Sequence, residues 1–230
     1  MNLISVKNLS AFYENREIFS NLSFNIADGD YLCILGENGS GKTTLMRCML
    51  GFDVKTSGEI LFNGFSKKEI GYLPQRSETV SDFPASVTEV VMSGFAGKGF
   101  LGMLYKKEQK QKAYENMKRL EIFDLKDKAF NKLSGGQQQK VLLCRALCAA
   151  KKALLLDEPV TGLDANSAEE MYALIDKLNR EGMTVIMISH DIETARSKGT
   201  HILHIANGGY FFGTEKDYAS GEYCKKEGGI

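Results

Sequence analysis

The stretch YLCILGENGSGKTTLMRCMLG, Tyr31 to Gly51, decides the fold. Its first residues form a nearly continuous apolar run, the pattern expected of a strand covered on both faces. Gly36, Gly39 and Gly41 then break the chain, and Leu45, Met46, Met49 and Leu50 recur at helical spacing until Gly51 ends the pattern. The order is strand, glycine-rich turn, helix.

Outward from this unit, LISVKNL and IFSNLSFNI alternate polar and apolar residues and predict strands at a sheet edge. From Thr88 to about Leu125 the texture becomes charged and helix-forming, with Tyr114, Met117, Leu120 and Ile122 on one expected buried face. Further on, a helix from about Gly136 to Ala149, the apolar run ALLL, a helix through SAEEMYALIDKLNREG, and TVIMIS, HILHIA and GYFFG alternate in type. Strands alternating with helices predict an α/β fold around a mostly parallel sheet, interrupted by an inserted helical subdomain.

GENGSGKTT, Gly36 to Thr44, fits GxxxxGK[ST] in the strand-to-helix context that gives the pattern meaning. Glycines let backbone N–H groups converge on phosphates, and the following helix presents its positive end to the anion. Lys42 adds a mobile positive charge toward the β- and γ-phosphates, and the Thr43 hydroxyl can ligate Mg²⁺. ALLLDEP ends a strand in two acids, Asp157 and Glu158, which alternation points in different directions. Asp157 suits Mg²⁺-bound water, and Glu158 suits the attacking water as general base. LSGGQ, Leu133 to Gln137, opens a helix with Ser134, Gly135 and Gly136 exposing backbone donors.

GENGSGKTT, LSGGQ and LLLDEP in that order, with Gln75 between the first two and His190 after the last, resemble the nucleotide-binding subunit of an ABC transporter along essentially the whole chain. The resemblance implies one ABC ATPase domain over 1–230. Residues 1–85 and 150–230 would form a P-loop NTPase core with an N-terminal antiparallel β subdomain, and about 86–149 the helical subdomain that includes the LSGGQ helix. ATP would bind through Gly36, Glu37, Asn38, Gly39, Ser40, Gly41, Lys42, Thr43 and Thr44, with Tyr13 stacking on adenine. Glu158, His190, Gln75 and Lys42 would serve catalysis, and Thr43, Gln75 and Asp157 would hold Mg²⁺. Leu133, Ser134, Gly135, Gly136 and Gln137 would face the ATP of a partner subunit, with Gly162, Leu163 and Asp164 at the dimer interface. Asp164 also reads as a helix N-cap before ANSAEEM.

The resemblance further implies a homodimer that closes on ATP and drives polytopic permease subunits and, through them, a metal-binding extracytoplasmic protein. LPQRSETVSDFPASVTEVVMSG, Leu73 to Gly94, is similar to the same stretch in bacterial importers of divalent metals. Zinc is expected first, then manganese, with iron and haem importers, or a soluble ATPase of the same type, as alternatives. Phe83, Pro84 and Val87 would offer the permease an apolar corner, or Phe83 and Val87 would pack the helical subdomain's own core. Lys140 stands where the family often has arginine, and Val160 where a small or hydroxylated residue is frequent.

Composition is compatible with this. A chain of 230 residues, 43% hydrophobic, can bury a full core, and 29 basic against 29 acidic side chains leave no bulk field to draw nucleic acid. The N-terminus lacks a signal-peptide pattern, and no apolar run approaches the roughly 20 residues a spanning helix needs. The expected location is cytoplasmic, peripheral on the inner face of the membrane. Five cysteines without a CxxC suggest neither a disulfide framework nor a zinc ribbon. Cys144 and Cys148 share a helix face but read as core, and His201 and His204 fall on opposite faces of a strand, so neither pair is assigned a metal.

Overall fold

The computed structural model describes residues 2–14, 16–75, 84–95, 105–206 and 209–221. In chain order its elements begin β1 (Asn2–Tyr13), β2 (Arg16–Ala27), β3 (Tyr31–Leu35), α1 (Lys42–Leu50), β4 (Lys55–Phe62) and β5 (Ile70–Leu73). They continue α2 (Val87–Met92), α3 (Lys107–Arg119), α4 (Gly135–Ala149), β6 (Ala153–Asp157) and α5 (Ala165–Arg180). The last are β7 (Thr184–Ile188), α6 (Ile192–Lys198), β8 (His201–Ala206), β9 (Gly209–Thr214) and α7 (Glu215–Ser220). They group into two compact units, residues 1–68 with 179–230, and residues 69–178.

In the first unit β1 lies between β2 and β4 in an antiparallel sheet. The alternation of LISVKNL and IFSNLSFNI becomes a face with Ile4, Val6, Leu22, Phe24 and Ile26 buried. Asn8 and Asn21 take positive φ at register shifts, where an Asn tolerates the left-handed turn of a bulge. The same unit holds β7, β3 and β8 as parallel neighbours, with β9 antiparallel to β8. Every residue of β3 and β7 is buried, which is why both read as unbroken apolar runs. Helix α1 ends as expected at Gly51, whose φ of 73° lets its N–H cap the Arg47 and Cys48 carbonyls.

In the second unit β5 pairs in parallel with β6, all of whose residues are buried. Gly71 of β5 has no room for a side chain, since a Cβ there would lie 2.3 Å from the Ala146 carbonyl oxygen of α4. The LSGGQ helix therefore sits directly against the strand that leads to Gln75. Helix α3 buries Met117, with Leu120 and Ile122 beyond its end, as the spacing predicts. Tyr114 is only half-buried, because it caps the patch edge-on against the Phe123 ring 5.6 Å away.

β4, β5, α6 and α7 have no counterpart in the sequence reading. Their segments are short or mostly exposed: β4 keeps no residue buried, and β5 has only four residues. Among the described residues no helix is long and apolar enough to cross a membrane.

Candidate functional site

The loop after β3 is built as an anion cradle. Gly36, Gly39 and Gly41 have φ of 140°, 81° and 102°, left-handed conformations that L side chains rarely adopt. At Gly36 a Cβ would also meet the Ile205 carbonyl oxygen at 2.2 Å and Ser40 Oγ at 2.7 Å. Gly41 begins α1 without any side-chain cap, and the first turn carries no acid, so the positive helix end is open to an anion. Ser40 Oγ is buried with no hydrogen-bond partner, a cost that a bound phosphate oxygen would remove. Lys42 is buried, and its Nζ donates to the Gly36 and Glu37 carbonyls at 2.6 and 2.8 Å. Thr43 is exposed on the first turn, Glu37 and Asn38 are exposed at the loop tip, and Thr44 is half-buried.

The contrast within this loop gives a direct test. Gly36→Ala meets both a backbone clash and an adverse φ and is expected to lower stability by about 3 kcal/mol. Gly39→Ala, with nothing within 4 Å of its Cβ, meets only the φ penalty, on the order of 1–2 kcal/mol. Denaturant unfolding of the two variants checks the difference.

His190 follows β7, the parallel neighbour of β3, and Ser189 N donates to the Ile34 carbonyl at 3.2 Å. The histidine is exposed at the carboxyl end of the strands, the end from which the phosphate loop also departs. Tyr13 ends β1 with 69% of its surface exposed, as an aromatic stacking platform requires.

The remaining predicted residues belong to the second unit. Asp157 closes β6 and is buried. Glu158 takes φ 48°, a left-handed conformation that costs energy for a non-glycine residue. There Gln75 Nε2 and Thr161 Oγ1 donate to Glu158 Oε2 at 2.9 and 3.0 Å. Two donors hold this carboxylate in one orientation. Asp157 ends β6 buried while Glu158 lies just beyond the strand, half-buried and with a positive φ, so the turn rather than strand alternation sets it apart. Thr161, the first residue of TGLD, was missed because it carries no signature of its own.

Ser134 caps α4 by accepting from Gln137 N, while the Gln137 side chain accepts from Ser134 N at 3.1 Å. This reciprocal cap fixes the start of LSGGQ. Leu133 and Gly136 are buried, and Ser134 is exposed. Asp164 is the N-cap that the sequence suggests, accepting from Ser167 N at 3.0 Å and Ser167 Oγ at 2.7 Å. Those bonds, the backbone one first, hold its carboxyl below the ordinary range. Gly162 takes φ 77° in the turn before it.

In the segment after Gln75, Phe83 lies outside the described residues and Pro84 is exposed. Val87 is wholly buried, which agrees with the core-packing alternative. Ser86 caps α2 in a reciprocal box with Glu89. Beside it lies a groove of about 180 Å³ lined by Ala85, Glu89, Val90, Phe130, Leu142 and Arg145. Arg145 Nε donates to Ser93 Oγ at 3.0 Å, and neither residue carries a sequence signal for this role.

Cys144 and Cys148 are fully buried, and the hydrogen bond with Cys148, then burial, pushes the Cys144 thiol far above its usual range. It stays protonated, which suits core packing rather than metal ligation. His204 is buried against the Tyr218 hydroxyl at 2.9 Å, and His201 stacks on Phe212. Among the described residues no group of three metal-ligating side chains converges.

Residues 19–161 match the family model described as ABC transporter. The chain belongs to the ABC transporter family. It is an ABC ATPase subunit, 34% identical over 224 residues to the zinc uptake system ATP-binding protein ZurA of Listeria monocytogenes, covering 94% of this chain and 87% of that one. It is 34% identical over 196 residues to the manganese transport system ATP-binding protein MntB of Bacillus subtilis, covering 84% and 78%. A solved ABC transporter in an inward-facing conformation superposes with a TM-score of 0.88 at 29% identity, over 98% of this chain and 88% of that chain. The ADP conformation of the ATP-binding cassette MJ1267 gives 0.84 at 21% identity over 98% of each, a likeness of fold. The ABC ATPase fold expected from strand, loop and motif order is thus the fold observed.

Proposed function

We propose that this chain hydrolyses ATP to drive import of a divalent metal ion, zinc first and manganese next, through separate membrane permease subunits. The observation that carries the metal assignment is the likeness, along 94% of the chain, to a zinc uptake ATP-binding protein.

In this reading the loop from Gly36 to Thr44 binds the phosphates, Tyr13 stacks on adenine, and Lys42 leaves its carbonyl partners for the β- and γ-phosphates. The orphaned Ser40 Oγ and the uncapped start of α1 support that assignment. Mg²⁺ would be held by the Thr43 hydroxyl, the Gln75 amide oxygen and, through water, Asp157, a set of hard oxygen donors that suits this ion, and it would supply charge against the phosphates. Because the Gln75 nitrogen is committed to Glu158, its amide presents the oxygen to a cation.

Glu158 takes the proton of the attacking water as general base, and His190 contacts the γ-phosphate. One chain carries one phosphate loop and one LSGGQ, so two copies work as a homodimer. Each supplies Ser134 to Gln137, with Gly162 to Asp164, to the nucleotide of the other. We also propose that about 86–149 acts as a helical arm whose groove beside α2 receives a permease segment, the permease in turn meeting an extracytoplasmic metal-binding protein. The chain would then work at the inner membrane face.

Affinity capture from membranes, followed by metal-dependent ATPase assays on the reconstituted complex, tests this. Recovery of a polytopic partner whose transport of zinc requires ATP is expected; ATP hydrolysis with no membrane partner would leave a soluble ATPase instead.

A further inference from the structure

LSGGQ and TGLD are separate motifs in the sequence, yet side chains link the helices they open. Ser167, in the first turn of α5, donates its hydroxyl to Asp164 Oδ2 at 2.7 Å. The same Oγ lies 2.7 Å from where a Cβ on Gly136 of α4 would stand, and Ser167 Cβ lies 3.0 Å from that point. Glycine at 136 thus lets the two backbones approach until the serine fills the space a side chain would take. One helical turn further along α4, Lys140 Nζ bonds Glu170 Oε2 at 2.6 Å, a second link between the same helices. The lysine side chain is mostly covered while Glu170 is largely exposed, so this link is a surface ion pair of modest strength.

We propose that Ser167 is a positioning residue for ATP hydrolysis: it joins Asp164 to the LSGGQ helix, so that both segments meet the partner subunit's nucleotide as one rigid body. This rests on the dimeric reading above. Serine suits the role because it is the smallest side chain that both fits against Gly136 and donates a hydrogen bond. An alanine would fit without holding Asp164. The backbone bond from Ser167 N to Asp164 Oδ1, at 3.0 Å, does not depend on the side chain, so helix capping and positioning are separable.

The test uses the full chain. Ser167→Ala should keep its melting temperature within about two degrees and its nucleotide affinity within about twofold of wild type. Its kcat should fall about tenfold with KM within about twofold, because a small misplacement of a reacting constellation costs rate rather than binding. Gly136→Ala should reduce kcat by a smaller factor in a Ser167→Gly background than in the wild-type chain, since the obstacle to the new methyl is gone. A wild-type kcat in Ser167→Ala, or equal factors in the two backgrounds, overturns the proposal. Absence of ATP hydrolysis by the wild-type chain overturns the functional reading and the proposal together, and this arm tells the two failures apart.

Discussion

Glu158→Gln is expected to lower kcat by about 10³-fold while ATP affinity stays within about threefold of wild type. A general base contributes roughly 10² to 10⁴ to rate, and an amide cannot take the proton from water. The substitution is otherwise mild, because a glutamine oxygen can still accept from Gln75 Nε2 and Thr161 Oγ1, which hold the carboxylate at 2.9 and 3.0 Å. The left-handed backbone at Glu158 is a property of the turn and penalises both residues alike. Single-turnover hydrolysis beside equilibrium nucleotide binding separates the effects. A variant that hydrolyses near the wild-type rate would remove Glu158 from its proposed role. Thr161→Ala, which leaves the base in place but frees one restraint, should lose about tenfold.

Lys42→Ala should show the opposite division. Its charge is the principal one the loop offers to phosphate, and its removal is expected to raise the Kd for ATP about 100-fold, with hydrolysis lost at ordinary ATP concentrations. Stability should change less, by about 1–2 kcal/mol, because the Gly36 and Glu37 carbonyls lose a donor but sit at the edge of solvent. Lys42→Arg should not rescue binding. The lysine is buried with its ammonium 2.6 and 2.8 Å from two carbonyls, and a planar guanidinium cannot be seated on both without displacing the loop. Titration with ATP and with adenosine discriminates: the ATP affinity should collapse, and any adenosine affinity should not move. Equal losses for both ligands would place the lysine's effect in the fold.

The parts of this molecule that were legible in its sequence are those where one chemical requirement fixes several consecutive residues. A buried strand, a glycine turn and a helix leave a joint pattern in Tyr31 to Gly51, and the three glycines do adopt the left-handed conformations that the motif needs. The strand-end pair Asp157 and Glu158 was legible as two adjacent acids closing an apolar run, although the positive φ that takes Glu158 out of the strand was not. Val87 shows the limit. An apolar residue near a turn serves a surface or a core equally well by type, and only the packing of α2 against α4 decides that it is buried. Ser167 and Arg145 were invisible for a different reason. Each acts through a partner distant in sequence, Gly136 in one case and Ser93 in the other, and no local pattern records such a pairing.

Helix α1 has a further consequence for heat stability. Most helices here begin on a side chain that accepts their first N–H groups, as Ser86, Ser134, Asp191 and Thr214 do, but α1 begins on a glycine with nothing to offer. In the proposed function the nucleotide would stand in for the cap that this helix omits. Folding and ligand concentration become thermodynamically linked, so that each tenfold rise in ATP above its Kd adds about 1.4 kcal/mol to the unfolding free energy. Nucleotide concentration would in this way bear on how long the protein survives, apart from how fast it works.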